Sequence, residues 1–151
     1  MHNKYMDIAL EEAIKAYNEN EIPVGAVVVK NGEVISRAHN IKEKTNVATN
    51  HAEIIAINEA CKKLNTWRLN DCEIYVTLEP CLMCAGALLQ SRMGKLVYSV
   101  ENSKFGYVSS VDKILNNKNN HKISVEKGVG ADKSNELLTS FFMKIRSEKM
   151  N

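Results

Sequence analysis

The chain has 151 residues, 44% of them hydrophobic and 25% charged, a globular composition that excludes disorder. A net charge of +2 and a pI of about 8.3 are too mild to mark a nucleic-acid binder by charge alone, and no apolar run nears the roughly 18 residues of a membrane span. The opening residues lack the apolar stretch of a secretory signal, so the expected location is the cytoplasm, and the length predicts a single domain over 1–151.

Residues 6–19 set Met6, Leu10, Ala13, Ile14 and Tyr17 on one stripe and predict a helix that Pro23 ends. The β-branched run 24–30 predicts a buried strand, Asn31-Gly32 a tight turn, and 33–38 the hairpin partner. Residues 40–50 are polar and aperiodic, which predicts a loop. A second helix is expected over 51–64, capped by Asn50, with Ile54, Ile55, Ile57 and Leu64 inward. A strand follows at 73–78, and Pro80 stands where a helix over 81–91 would begin. Next come a strand at 95–100, a polar loop at 116–120, an edge strand at 122–125 and a terminal helix over 132–149. On that helix Leu137, Leu138, Phe141, Phe142 and Ile145 recur at inward spacing, although adjacent Phe141 and Phe142 cannot both face the core. A hairpin followed by alternating strands and helices predicts a three-layer α/β/α sandwich on a mixed sheet of about five strands.

The chemistry is concentrated in His51-Ala52-Glu53 and Pro80-Cys81-Leu82-Met83-Cys84, each expected at a helix start. Cys81 and Cys84 are one turn apart, so both sulfurs can reach one ion, and helix N-termini favour thiolates. One imidazole and two sulfurs match a catalytic zinc site, which takes three protein ligands and keeps one position open. Zinc lowers the pKa of water in that position to about 7, and a carboxylate beside it, here Glu53, can carry the proton to a leaving group. That machinery suits hydrolytic removal of an amine from an electron-poor ring.

The chain is similar to the bacterial tRNA adenosine deaminases over nearly its whole length. The likeness lies in Glu21-Ile22-Pro23-Val24-Gly25-Ala26, Arg37-Ala38-His39-Asn40, His51-Ala52-Glu53, Trp67-Arg68-Leu69 and the block from Tyr75 to Gly86, and it ends with Phe141-Phe142 and Arg146. The resemblance implies a cytidine-deaminase-like fold, a homodimer, one Zn2+ per chain and conversion of adenosine to inosine at the wobble position of a tRNA anticodon loop. It implies that His51, Cys81 and Cys84 hold zinc, that Glu53 is the catalytic proton shuttle, and that Asn40 bonds the flipped base. Val24, Gly25 and Leu78 would line the pocket, with Asn102 at the substrate wall and Phe142 and Arg146 near the anticodon loop. Two departures stand out. Where the family reads Gly-Ala-x-Asp this chain has Ser99-Val100-Glu101-Asn102, an amide in place of an acid, and Asn50 replaces a small residue before His51.

Plainer readings stand beside these. Asn40 can cap a turn, Cys61 and Cys72 can be small apolar residues, and His39 and His121 can bond locally. Trp67 and Arg68 can be core and surface, or serve a dimer or RNA. Lys144, Arg146 and Lys149 can be a solvated face. The alternative activity on this fold is deamination of a free purine base or nucleoside, such as guanine, which the neutral Asn102 motivates. A noncatalytic zinc module would need a fourth ligand and leaves Glu53 idle, and a redox Cys-x-x-Cys leaves His51 idle as well.

Overall fold

The computed structural model describes residues 3–116 and 121–150. His2 and most of the polar loop expected at 116–120 lie outside them. Helix α1 is Lys4–Asn18, with the Asn3 side-chain oxygen accepting from the N–H of Tyr5 and of Met6. It stops well before Pro23, because Asn20 takes a left-handed φ of 61° and the Glu19 N–H closes onto Lys15 O and Ala16 O. Its buried face is Met6, Ala9, Leu10, Glu12, Ala13 and Ala16, whereas Ile14, expected inward, is 48% exposed. The reason is on the neighbouring strands. A β-carbon at Gly25 would lie 1.9 Å from the Ala9 carbonyl oxygen, so only small residues fit there. Glu12 in turn is drawn down by Arg37 Nε at 2.7 Å and His39 Nδ1 at 3.0 Å.

Strands β1 (Gly25–Lys30) and β2 (Glu33–His39) form the expected hairpin, with Asn31 and Gly32 both at positive φ in the turn. The polar stretch after β2, expected to be all loop, contains a one-turn helix α2 (Lys42–Thr45). Four residues carry no period to read; the turn is held from outside by the Glu21 carboxylate, which accepts from the N–H of Glu43 and Lys44. Helix α3 is Ala52–Leu64, and its N-cap is His51 rather than Asn50, whose amide instead donates to Thr45 Oγ1 at 2.9 Å. Ala52, Ala56, Ile57 and Ala60 form its buried stripe, while Ile54, Ile55 and Leu64 are half-buried, because alanines let the helix lie close on the sheet.

Strand β3 (Cys72–Leu78), helix α4 (Leu82–Gln90) and strand β4 (Lys95–Val100) follow within a residue of expectation. Strand β5 is Ser124–Lys127, later than expected, because Ile123 is buried and the β4 register starts at Lys95↔Ser124. Helix α5 is Ala131–Met150. On it Leu138 and Phe141 are buried, and Phe142, one of the expected inward set, is 46% exposed.

The sheet order is β2-β1-β3-β4-β5, with β1 antiparallel to β2 and β3 and with β3, β4 and β5 parallel. Val27, Val29, Tyr75 and Val97 face α1, with α5 beside it, whereas Val28, Ile74, Val76 and Leu96 face α3 and α4. This is the expected three-layer α/β/α sandwich on a mixed sheet, the cytidine-deaminase-like arrangement. Register brings the start of β1, the end of β2 and the ends of β3 and β4 to one edge: Gly25↔His39, Ala26↔Val76 and Leu78↔Val100. Segments far apart in sequence therefore meet there. Among the described residues, no helix is long and apolar enough to cross a membrane.

Candidate active site

His51 and Cys81 are the N-cap residues of α3 and α4, in extended backbone at φ −77°, ψ 152° and φ −72°, ψ 177°. Neither side chain caps its helix. Both turn to a shared point, with Cys84 reaching it from the first turn of α4. His51 Nδ1 is 3.7 Å from Cys81 Sγ and 3.6 Å from Cys84 Sγ, and the three ligand atoms all lie within 4.8 Å of one another. Tetrahedral zinc with bonds of about 2.0–2.3 Å places nitrogen and sulfur ligands about 3.6 Å apart, so this donor set fits such an ion. Both helix N-termini aim partial positive charge at the point, which favours thiolates.

The protons are distributed to match. A hydrogen bond from the Cys84 thiol, against burial and with help from His51, pulls the Cys81 thiol down to about 4. Cys84 is pushed up by that same bond and by its burial. The His51 imidazole is raised by its bond to Cys81, and the Glu53 carboxylate adds to this against burial. Glu53, in the first turn of α3, is pushed up to about 7 by burial, with the Cys81 charge adding to the shift. A carboxyl raised above its ordinary range can hold a proton as well as release one, as a proton carrier requires.

These groups open into a cleft of about 320 Å³. His51, Glu53 and Cys81 line it together with the apolar Val24 and Leu78, with Asn40 and Lys42 from the segment after β2, and with Asn102 and Phe105 from the segment after β4. The Asn40 amide donates to Ile22 O at 3.3 Å and its oxygen accepts from the Lys42 N–H at 3.1 Å, leaving one amide N–H for a ligand. Gly25 is not among the lining residues; it lies beneath α1, its N–H on Thr77 Oγ1 at 3.1 Å. Phe142 and Arg146 are exposed on α5, away from the lining. His39 lies between the carboxylates of Glu12 and Glu19, and His121 Nε2 donates to Met93 O, so both bond locally. Cys72 is buried and Cys61 half-buried, both with thiols raised by burial. Trp67 is 53% exposed under the Arg68 guanidinium.

Two carboxylates that hold the walls of the cleft, Glu21 and Glu79, escaped the sequence reading. Glu79, 1% exposed, accepts through Oε2 from the N–H of Val108, Ser109 and Ser110 and through Oε1 from the Asn102 N–H and the Ser110 hydroxyl. It thereby fixes the wall that carries Asn102 and Phe105, as Glu21 fixes the wall that carries Lys42. Glu79 stands directly before Pro80-Cys81, yet its partners, backbone N–H groups and the Ser110 hydroxyl, are more than twenty residues away, which no local pattern reveals. Two larger hollows, of about 520 and 530 Å³, lie on the flank of α5 and in the furrow of α3 and α4. Among the described residues, neither gathers the metal-ligating donors that stand in the cleft.

Known proteins resemble this chain in sequence and in fold. The family model of MafB19-like deaminases matches residues 1–146. The "tRNA-specific adenosine deaminase" of Aquifex aeolicus is 46% identical over 144 residues, covering 95% of this chain and 95% of that protein. A solved structure from a study of A-to-I editing by tRNA:A34 deaminases at the wobble position is 38% identical, covers 91% of this chain and all of that one, and superposes with a TM-score of 0.87. Guanine deaminase from Bacillus subtilis is also 38% identical, but over 67% of this chain and 65% of its own, with a TM-score of 0.63.

Proposed function

The chain belongs to the MafB19-like deaminases and, among them, to the tRNA-specific adenosine deaminases, and from that premise we propose that it converts adenosine to inosine at the wobble position of a tRNA anticodon loop, with all of residues 1–151 as one catalytic domain in the cytoplasm. The observation that carries this reading is the convergence of His51, Cys81 and Cys84 beside the buried Glu53 at the floor of a cleft. His51, Cys81 and Cys84 would hold one Zn2+, whose chemistry is to acidify water at its open position. Among the described residues no fourth side chain joins these ligands, as a purely structural zinc site would require.

Glu53 takes a proton from the water that attacks C6 of adenine and delivers it to N1, then takes the second proton from the hydroxyl now on C6 and gives it to the amino group as the C6–N bond breaks, so that adenosine and water become inosine and ammonia. Its pKa near neutrality suits both halves of that transfer. Val24 and Leu78 exclude water from the faces of the ring, and the spare N–H of Asn40 donates to the base. Asn102 offers an amide at the wall, and Gly25 serves the pocket by letting β1 pack under α1. Phe142 and Arg146, exposed on α5, would sit near the anticodon loop. A loop adenosine is already unpaired, so swinging it into the cleft costs little. A second copy of the chain is the partner we assign to the apolar furrow of α3 and α4, where Ile54, Met83 and Ala87 are displayed.

The test is nucleoside mass spectrometry of anticodon stem-loops incubated with zinc-loaded protein. Inosine in place of the wobble adenosine is expected. Ammonia released from guanine or adenosine, with no inosine in any RNA, would establish the free-purine reading that the neutral Asn102 motivates.

A further inference from the structure

We propose that Phe105 is a stacking platform for a nucleobase next to the adenine in the cleft, and so a determinant that favours an RNA loop over a free purine. The inference rests on the reading of the substrate as an RNA loop. Phe105 is 65% exposed, more than any other exposed large hydrophobic side chain described, yet it lines the cleft. Its ring belongs to neither core cluster, and among the described residues it meets no other aromatic ring. An aromatic face left in water at the rim of a binding cleft is surface kept for a ligand.

The backbone that carries the ring is held in place. The Phe105 N–H donates to Asn102 Oδ1 at 3.2 Å, the Gly106 N–H to Asn102 O at 2.8 Å, and the Asn102 N–H to Glu79 Oε1 at 3.0 Å. A β-carbon at Gly106 would lie 2.3 Å from the Glu79 carboxyl carbon, so the turn is pressed onto that buried group and cannot drift inward. With its backbone fixed before binding, Phe105 has only its side-chain torsions to settle when a base stacks on it. A cleft of about 320 Å³ takes one nucleoside, so the rest of a polynucleotide must leave over the rim where Phe105 stands. Lys42, on the segment after β2, lines the same cleft and places a cation near the departing backbone. Unpaired bases stack on such faces with little regard to sequence, which suits recognition of a neighbour rather than of the target itself.

The experiment uses the zinc-loaded enzyme and a stem-loop RNA with adenosine at the wobble position, beside the same RNA carrying an abasic nucleotide on one or the other side of it. The wild-type kcat/KM should fall about tenfold, through KM, when the abasic nucleotide occupies the stacked side. Phe105→Ala should lose a similar factor on intact RNA, and the two losses should not add. Phe105→Trp should keep the wild-type value and Phe105→Leu should not. Additive losses, an unaffected Phe105→Ala, or a Phe105→Leu equal to wild type would overturn the stacking role, leaving the deaminase reading intact. No inosine from the wild type in any of these RNAs would remove both.

Discussion

Glu12 and Glu53 are two carboxylates with little surface open to water, at 3% and 4% exposure, but Glu53 lies deeper in the protein, and they stand at opposite ends of the carboxylate range. Burial raises both. At Glu12, in the seam between α1 and β2, hydrogen bonds from Lys15, His39 and Arg37 overwhelm it and bring the carboxyl down to about 2. At Glu53 burial wins, a thiolate stands nearby, and the carboxyl rises to about 7. Glu79 makes a third case, held low against burial by backbone N–H groups and a hydroxyl. A carboxylate becomes a proton carrier where deep burial meets little compensation, and shallower burial with compensation makes a structural pin instead.

The comparison can be broken in several places, in descending order of effect. Cys81→Ser should abolish both metal binding and inosine formation, read by elemental analysis and nucleoside mass spectrometry; undiminished metal would take Cys81 out of the ligand set. Glu53→Gln should keep the metal and lower kcat about a thousandfold, or roughly 4 kcal/mol. Loss of metal in that variant would make Glu53 a ligand. Glu79→Gln should cost about 3 kcal/mol in urea unfolding, because the amide N–H2 is set against backbone donors.

Glu12→Gln tests the opposite pole. The folded carboxyl lies at about 2 against an ordinary 4.5, so the folded chain binds fewer protons there than the unfolded chain. Its contribution is complete above pH 4.5 and fades as pH falls toward 2. The wild type should therefore exceed Glu12→Gln by on the order of 2 kcal/mol near neutrality, with the gap closing in that acid window; a gap independent of pH would deny the ion pairs their role. Lys15→Ala should cost less than about 1 kcal/mol, since Lys15 is 54% exposed and water screens its pair with Glu12.

The architecture and the two motifs whose His51, Cys81 and Cys84 side chains cluster were legible because both are written locally. Short apolar, β-branched runs mark the strands, Asn31-Gly32 marks the hairpin turn, and His-x-Glu and Cys-x-x-Cys each fall within one helical turn. What was not legible depends on partners distant in sequence. Ile14 looks inward by spacing, but the close seat of Gly25 and the cations around Glu12 turn α1 the other way. Helix α2 exists through Glu21, and the wall after β4 stands through Glu79, neither of which has a local signature. Asn50 looked like a cap until the backbone at His51 took that position.

The contact between Gly25 and Ala9 also sets how this catalyst can change. Val24, immediately before that contact, forms one side of the cleft, and behind it helix and strand touch main chain to main chain. That jaw has no slack. Any redesign or natural drift toward bulkier or leaner substrates has to be accommodated by the opposite jaw, in the residues around Asn102 and Phe105, where a side chain can be exchanged without prising the layers apart.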